Sequence, residues 1–239
     1  MIRRPPRSTH CISSAASDVY KRQEISKPFF IRVNPLTTSH GEKDIHVFKS
    51  TVKNFKGIII PKIEDPAELT SLSEDIKVIL LIETPIALEN LSSLIQDKKV
   101  MGLALGGADL SAELGSDMSW DSLLMARSMI VMQASKRGLL TIDSPFMQIN
   151  DEKLLAEESR KAKSIGFNSK FAIHPKQAKI IKERFLPTEE ELEEAKKIIE
   201  AYSNSKGGVI SVDGKMVDEP IVRLMKKRLW LSGIDLESE

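Results

Sequence analysis

The sequence predicts an α/β fold built on a parallel sheet, and two observations support this prediction. Apolar runs such as Val78–Ile82 and Met101–Leu105 have no polar alternation, which is typical of strands buried on both faces. Segments with apolar residues at spacings of three and four lie between these runs. This alternation of strands and helices is typical of βα units, in which a helix connects each strand to the next parallel strand.

The first elements follow from local signals. Six strands are predicted at Phe29–Val33, Gly57–Ile60, Val78–Ile82, Met101–Leu105, Leu139–Ile142 and Lys170–Ile173. Helices are predicted between them at Asp65–Leu72, Pro85–Asp97, Trp120–Arg137 and Asp151–Ile165. Asp65 is a suitable N-cap for the first helix, because Pro66 follows it at the first helical position.

The carboxyl-terminal part has a different character. Its predicted elements are a helix at Thr188–Ser203, a hairpin over Val209–Val217 that turns at Asp213-Gly214, and a helix at Glu219–Leu231. Thr188 and Glu191 form a capping box at the start of the first helix. We therefore expect residues 24–187 to form the main α/β domain and residues 188–239 to form a carboxyl-terminal extension.

Residues 1–23 show neither helical nor strand periodicity. They are basic, rich in serine and free of glutamate, a composition that an organellar transit peptide also has. The string more closely resembles translated sequencing-adapter read-through, so we treat it as a non-native or disordered segment and exclude it from the fold prediction. We expect the native protein to carry an amino-terminal part of its own before Glu24.

Composition narrows the class of protein. The chain has 239 residues, of which 41% are hydrophobic and 29% charged, as in ordinary globular domains. A net charge of +1 gives no electrostatic support for binding nucleic acid or a membrane surface. Cys11 is the single cysteine, so an intrachain disulfide is excluded. We expect a cytoplasmic protein with a small-molecule substrate.

Two acidic residues, Glu83 and Asp109, end buried runs. The carboxyl ends of parallel strands carry the chemistry in barrel enzymes, so we expect these carboxylates to converge. Two carboxylates suffice for Mg²⁺, which keeps several waters and binds substrate oxygens. Gly106 and Gly107 would let the backbone approach a ligand, or would form a tight turn. Alternatively, both acids are helix N-caps or partners of Arg32.

Two basic residues occupy comparable positions. Arg32 lies in an apolar strand, where burying a guanidinium is costly unless it meets an anion. That anion is either a substrate carboxylate or thioester oxygen, or an internal acid. Lys62 follows the run Gly57–Pro61 and is a candidate for binding an anion or forming a Schiff base, although a surface lysine is the more common outcome.

Three other polar residues have simple local explanations. Asp143 ends a strand and would either support the site or cap a turn. His174 is a lone histidine, and the four histidines do not have the spacing of a zinc site. Asp218 precedes the last helix and is typical of an N-cap.

The number of strands leaves the sheet architecture open. Six strands are two fewer than a (β/α)₈ barrel needs, and the shortfall lies at the amino end. An open sheet of six strands is the alternative. The sequence lacks the G-x-G-x-x-G and Walker A motifs that nucleotide-binding open sheets often carry.

These motifs together resemble the HpcH/HpaI aldolase and citrate lyase beta-subunit family. The matching strings are Ile31–Pro35, Gly57–Glu64, Leu81–Thr84, Leu105–Leu110, Ala172–Gln177 and Gly214–Asp218. Phe185–Thr188 and the last of these strings favour the citrate lyase beta and citramalyl- or malyl-CoA lyase branch.

The resemblance implies a TIM (β/α)₈ barrel of the phosphoenolpyruvate/pyruvate-binding type, truncated at its amino end. It implies a Mg²⁺-dependent lyase that cleaves a 3-hydroxyacyl thioester of CoA or of an acyl carrier. Glu83 and Asp109 would be the metal ligands, and Arg32 would bind substrate and stabilise the enolate. Lys62, Gly106 and Gly107 would be further substrate-binding residues. Asp218 would be the general acid/base at the thioester α-carbon, and the carboxyl-terminal extension would bring it into the site.

The resemblance also sets expectations for assembly and for alternatives. It implies a trimer or hexamer, with citrate lyase alpha and acyl-carrier subunits as candidate partners. Two family strings, Phe-Val-Pro-Gly and Leu-Asp-Leu-Glu-Asp, are absent. In addition, Ala87 replaces a glycine and Ala108 replaces an acidic residue that the family often has. The missing strands would leave two open sheet edges and an exposed core, so we expect this chain to be poorly stable and to have little or no activity. The alternative functions are a class II aldolase on free hydroxy-keto acids and an inactive acyl-CoA-binding fragment.

Overall fold

The computed structural model describes residues 29–41, 43–45, 55–205 and 208–234, so segment 1–23 lies outside the described residues. Six strands form one parallel sheet in the order β1-β2-β3-β4-β5-β6. They are β1 (Phe29–Arg32), β2 (Phe55–Pro61), β3 (Lys77–Ile82), β4 (Val100–Leu105), β5 (Leu140–Asp143) and β6 (Ser169–Lys170).

The strand order decides between the two predicted architectures. Each strand pairs with the next strand along the chain, and the order never reverses. A doubly wound sheet would reverse at a switch point, whereas a (β/α)₈ barrel adds its strands in one direction. The described residues therefore form six strands of a TIM-like barrel, which confirms the predicted fold class.

The helices lie between and after the strands. They are the 3₁₀ helix Pro66–Ser71, α1 (Pro85–Glu89), α2 (Leu91–Leu94), α3 (Gly107–Leu114), α4 (Leu124–Ser135), α5 (Glu152–Ile165), α6 (Pro175–Phe185), α7 (Glu189–Ser203) and α8 (Glu219–Leu231). Strands β7 (Ile210–Val212) and β8 (Lys215–Val217) form the predicted antiparallel hairpin. No helix of the described residues is long and apolar enough to cross a membrane.

Several predicted boundaries were wrong. The predicted helix Pro85–Asp97 is interrupted at Asn90, whose side-chain amide donates a hydrogen bond to the Glu64 carbonyl at 2.9 Å. The predicted strand Lys170–Ile173 keeps only Lys170. Helices α3 and α6 were not predicted, because α3 begins with a glycine that helix propensity disfavours and α6 is rich in charge.

The chain divides into two compact units. The first comprises the described residues through Met147 together with Ser164–Phe171, and it contains the whole parallel sheet. On one face of this sheet, Ile79, Leu81 and Ala104 form a buried cluster. On the alternate positions of β3, Leu80 and Ile82 are fully buried.

The second unit contains the predicted helix, hairpin and helix. This unit comprises Gln148–Lys163 and Ala172–Glu239. The structure describes its residues up to 234, except 206 and 207. Its own core consists of Ala195, Ile198, Val212, Val217, Val222, Met225 and Leu229. The capping box of Thr188 and Glu191 is present, and Asp213 and Gly214 both have positive φ at the hairpin turn.

Candidate functional site

Four of the predicted site residues lie at the carboxyl ends of neighbouring strands. Arg32 is the last residue of β1, Lys62 follows β2, and Glu83 follows β3. Asp109 lies in the first turn of α3, which begins two residues after β4. Consecutive strands of the sheet are adjacent, so the structure brings these four side chains together as predicted.

Glu83 is the buried member of this group. Its side chain is 2% exposed, and its Oε1 accepts a hydrogen bond from Arg32 Nη2 at 3.3 Å. Its Oε2 accepts a hydrogen bond from the Lys62 backbone N–H at 3.1 Å. Both oxygens of this carboxylate are therefore held in place by neighbouring strands, which fixes its orientation.

Arg32 is not buried, although its position in an apolar strand predicted that its guanidinium would be. Its side chain is 58% exposed, because it stands at the end of β1 rather than within it. The expected internal acid exists and is Glu83. The exposed part of the guanidinium leaves N–H groups turned to solvent, where they can also meet an anion.

The charge of Glu83 is unfavourable where it lies. Burial raises the pKa of this carboxyl above its ordinary 4.5, while the Arg32 charge lowers it and the Asp109 charge raises it again. A cation bound beside Glu83 would stabilise its charged form and offset the nearby negative charge of Asp109.

Lys62 contacts both carboxylates. Its ammonium lies 3.5 Å from Asp109 Oδ1, and its backbone N–H binds Glu83. The residue has φ of 52°, a left-handed conformation that is unfavourable for a side chain with a Cβ. The strained backbone thus directs one N–H group at Glu83.

The helix-cap interpretation is wrong for both acids. Thr84, not Glu83, caps α1 and accepts a hydrogen bond from the Ala87 N–H at 3.2 Å. Gly106 occupies the N-cap position of α3, and Asp109 lies inside its first turn. Neither carboxylate is therefore used as an N-cap.

The two glycines are explained by neighbouring side chains. A Cβ on Gly106 would overlap the Glu83 side chain. A Cβ on Gly107 would lie 3.0 Å from Leu123 Cδ1 and from Ser144 Cβ and Oγ. Close approach is required at both positions, but the groups that approach are protein side chains and not the predicted ligand. Binding of substrate by these residues stays a prediction.

The other candidates have structural contacts. Asp143 is fully buried between Arg127 and Lys170, so it does not merely cap a turn. His174 caps α6, and its Nδ1 accepts a hydrogen bond from the Lys176 N–H at 3.2 Å. Asp218 caps α8, as its local sequence predicted, through a hydrogen bond from the Ile221 N–H at 3.2 Å. It belongs to the second unit.

Sequence reasoning missed Arg127 and Lys170. The signal available for Arg127 was a lone charge in the apolar run from Leu123 to Met132. For Lys170 it was a lysine directly before Phe171 in a predicted strand. Neither signal identifies the partner, because both contacts to Asp143 join residues distant in sequence.

The donor set at the strand ends fits a hard divalent cation. Glu83 and Asp109 supply carboxylate oxygens, which Mg²⁺ prefers. Within the described ranges, no group of three or more His, Cys, Asp or Glu side chains is arranged to hold a metal. Two protein carboxylates nevertheless suit Mg²⁺, since waters and substrate oxygens complete its octahedron.

Curated relatives of this chain are carbon–carbon lyases. The citrate lyase subunit beta of Haemophilus influenzae is 29% identical over 213 residues, which cover 80% of this chain and 72% of that protein. The mitochondrial citramalyl-CoA lyase of Rattus norvegicus is 27% identical over 220 residues, and the match covers 81% of this chain but only 65% of the rat protein.

Solved structures agree in fold. CitE of Mycobacterium tuberculosis, in complex with magnesium, acetoacetate and coenzyme A, is 26% identical with a TM-score of 0.73, and the match covers 92% of this chain and 84% of that chain. RipC of Yersinia pestis is 30% identical with a TM-score of 0.66, and the match covers 75% of this chain and 83% of that chain.

A family model matches most of the chain. The model of HpcH/HpaI aldolase/citrate lyase matches residues 8–175. The match begins inside segment 1–23, so the assignment of that segment as non-native stays a prediction. On the strength of this match and of the strand-end geometry, the chain belongs to the HpcH/HpaI aldolase/citrate lyase family.

Proposed function

We propose that this protein is a Mg²⁺-dependent lyase that cleaves a 3-hydroxyacyl thioester to an α-keto acid and an acetyl-type thioester. The observation that carries the proposal is the buried Glu83 carboxylate, held by Arg32 and Lys62 and near enough to Asp109 for the two charges to interact. The lyase relatives and the magnesium- and coenzyme A-bound neighbour support it.

Glu83 and Asp109 would hold the metal. Bound there, Mg²⁺ would supply Lewis-acid stabilisation of the substrate hydroxyl oxygen as it loses its proton and becomes a carbonyl. The two ligands have different surroundings. Glu83 is fixed by hydrogen bonds, whereas the Asp109 side chain is 46% exposed and pairs with Lys62.

Cleavage breaks the bond between the carbon that bears the hydroxyl and the α-carbon of the thioester. The electron pair of this bond passes to the α-carbon and forms a thioester enolate. The hydroxyl proton passes to solvent, and the carbon that bore the hydroxyl becomes the carbonyl carbon of the keto acid. Arg32 would offset the charge on the enolate oxygen, because its exposed guanidinium has donors left beyond its contact with Glu83. Lys62 would bind a substrate carboxylate.

Asp218 would protonate the α-carbon of the enolate. Its support is the match of Gly214–Asp218 to the family string. A carboxylic acid placed near this carbon would act as a general acid, and the resulting carboxylate would act as base in the reverse direction. In the described structure Asp218 accepts the capping hydrogen bond of α8 through one oxygen.

The acyl group and the assembly are further parts of the proposal. The names of the relatives support a citryl or citramalyl substrate. A malyl thioester, and the choice between CoA and an acyl carrier, stay predictions from the family resemblance. A trimer or hexamer, and citrate lyase alpha and acyl-carrier subunits as partners, stay predictions. A cytoplasmic location likewise stays a prediction.

A cleavage assay tests the proposal. The chain is incubated with citryl-, citramalyl- or malyl-CoA at a fixed Mg²⁺ concentration, and keto acid formation is measured. Asp109→Ala should abolish product. Glu113→Gln is the matched control, because Glu113 is an exposed acid on the same helix and should leave the rate unchanged.

The outcomes separate the alternatives. Product from one thioester that is lost in Asp109→Ala supports the lyase and identifies its substrate. Product only from free hydroxy-keto acids would replace it with a class II aldolase. Binding of the thioester without turnover, in a folded chain that also binds Mg²⁺, would indicate a binding protein.

A further inference from the structure

We infer that the buried ion triad of Arg127, Asp143 and Lys170 positions Asp109, acting through Ser144 and Gly107. The inference rests on the proposed role of Asp109 as a metal ligand. It assigns a role to three residues that are not among the proposed metal ligands. They would be positioning residues, because they would hold in place the helix α3 that carries Asp109 and would not bind the metal themselves.

The triad is closed off from solvent. The side chains of Arg127 and Asp143 are 1% and 0% exposed, and Arg127 Nε lies 2.8 Å from Asp143 Oδ1. The Lys170 side chain is 0% exposed, and its Nζ lies 2.7 Å from Asp143 Oδ2. Both carboxylate oxygens are thus bonded to cations, one from α4 and one from β6.

Arg127 is held on several sides. Its guanidinium carbon lies 4.5 Å from the centre of the Trp120 ring, and its Nη1 donates a hydrogen bond to the Trp120 carbonyl at 3.3 Å. Its Nη2 donates a hydrogen bond to Ser144 Oγ at 3.3 Å. The planar fork therefore fixes Ser144 relative to Asp143, its neighbour in sequence, and to α4.

Ser144 in turn supports the first turn of α3. Gly107 is the first residue of this helix, and a Cβ on it would lie 3.0 Å from both Cβ and Oγ of Ser144. The Ser144 side chain therefore packs directly against the backbone that leads to Asp109, two residues later. A shift of Ser144 would move the start of α3 and its carboxylate.

Small displacements matter for the proposed metal. Mg²⁺ requires a near-ideal octahedron with oxygens at about 2.0–2.1 Å, so a ligand that moves by a few tenths of an ångström binds less well. Residues that orient metal ligands typically change metal affinity by about 10–100-fold when they are mutated.

Stability alone is a weak explanation of the triad. A buried ion pair or triad can often be replaced by apolar side chains with no loss of stability, because desolvation offsets the attraction between the charges. The additional bond from Arg127 to Ser144 is what an apolar replacement would lack. That bond connects the triad to α3.

The test is Mg²⁺ binding by the full chain, measured by titration calorimetry. Arg127→Lys keeps a cation for Asp143 but loses the bond to Ser144, and Ser144→Ala loses the acceptor. Each should weaken binding roughly 10-fold. Ser159→Ala is the matched control, since Ser159 Oγ is buried without a hydrogen-bond partner in the second unit. It should bind as the original chain does.

A further variant tests the packing contact. Gly107→Ala should weaken Mg²⁺ binding, because its Cβ would lie 3.0 Å from Ser144 Cβ and Oγ and from Leu123 Cδ1 and would force the start of α3 away from them. Urea unfolding of each variant shows whether its fold is intact.

The outcomes distinguish this inference from the function it rests on. If the original chain does not bind Mg²⁺, or Asp109→Ala binds equally well, the proposed metal site fails. If Asp109→Ala abolishes binding but Arg127→Lys and Ser144→Ala bind normally while folded, the positioning role is overturned. Mg²⁺ binding by folded Gly107→Ala that equals binding by the original chain would also overturn it.

Discussion

Glu83 is buried in a position that disfavours its charge, and the proposed role as a metal ligand would account for this. Burial and the nearby Asp109 charge raise the pKa of its carboxyl, although Arg32 and Lys62 act in the opposite direction. A carboxyl whose pKa is higher in the folded state than in the unfolded state binds its proton more tightly when folded. Its ionisation therefore lowers the free energy of unfolding as pH rises from about 4.5 through the folded pKa.

Glu83→Gln should accordingly stabilise the metal-free chain at pH 7. The amide removes the unfavourable ionisation, but it keeps only one of the two accepting oxygens, so the gain is reduced by the loss of one hydrogen bond. The gain should shrink as pH falls toward 4.5, where Glu83 itself becomes protonated. Urea unfolding at both pH values, in the presence of a chelator, measures this. A variant that is less stable than the original chain at pH 7 would contradict the prediction.

Asp143 should behave in the opposite way. Asp143→Asn leaves Arg127 and Lys170 buried without their anion, so we expect a loss of about 3–5 kcal/mol in the free energy of unfolding. Asp143→Asn with Lys170→Met restores the original net charge of the group and should recover part of that loss. Chemical denaturation of both variants checks this, and equal stability of the single and double variants would contradict it.

The site residues that could be predicted from the sequence are those at the ends of predicted strands. Glu83, Asp109 and Lys62 follow apolar runs, and Arg32 ends one, so the sheet alone brings them together. The contact between Glu83 and Gly106 could not be predicted, because it depends on the direction of a side chain. The partners of Asp143 could not be predicted either, since they come from α4 and β6.

At the scale of elements, the capping box of α7 gives a separate test. Thr188 Oγ1 accepts a hydrogen bond from the Glu191 N–H at 3.1 Å, and Glu191 Oε2 accepts one from the Thr188 N–H at 3.0 Å. Burial acts against ionisation of Glu191, but the Thr188 N–H and the Lys163 charge outweigh it and lower the pKa below 4.5. Ionised Glu191 therefore stabilises the fold above this pH.

Thr188→Ala should lower the free energy of unfolding by about 1 kcal/mol at pH 7. Glu191→Gln should also destabilise at pH 7, and its deficit should diminish as pH falls below 4.5, where the original Glu191 loses its charge. Glu193→Gln, at an exposed position of the same helix, is the control and should show no such dependence. Chemical denaturation across this pH range measures the free energy of unfolding. A difference between Glu191→Gln and the original chain that does not change with pH would contradict the prediction.

The elements that sequence could predict are those with strong periodicity or caps. The strands of the sheet and α8 were found because apolar runs and the cap at Asp218 are local signals. Helix α3 was missed because its start depends on Gly107 fitting against Ser144 and Leu123, a contact from distant parts of the chain. The break at Asn90 likewise depends on a distant carbonyl, that of Glu64.

At the scale of the whole molecule, the order of the strands identifies the sheet as part of a TIM-like barrel. Among the described residues, β1 and β6 each pair with a single neighbour, so the sheet has two free edges. Unpaired edge strands expose backbone donors and acceptors and favour association with other chains. A closed barrel removes both edges, because its first and last strands pair.

Replacing residues 1–23 with two further βα units should therefore stabilise the protein. We expect Tm to rise by more than about 5 °C, since several kcal/mol of new packing and pairing correspond to such a shift in a domain of this size. Light scattering should also show less aggregation. Deletion of residues 1–23 alone is the control, and Tm should not change if this segment is foreign to the fold. A clear fall in Tm on deletion would show that residues 1–23 contribute to the fold, and would reject their assignment as non-native.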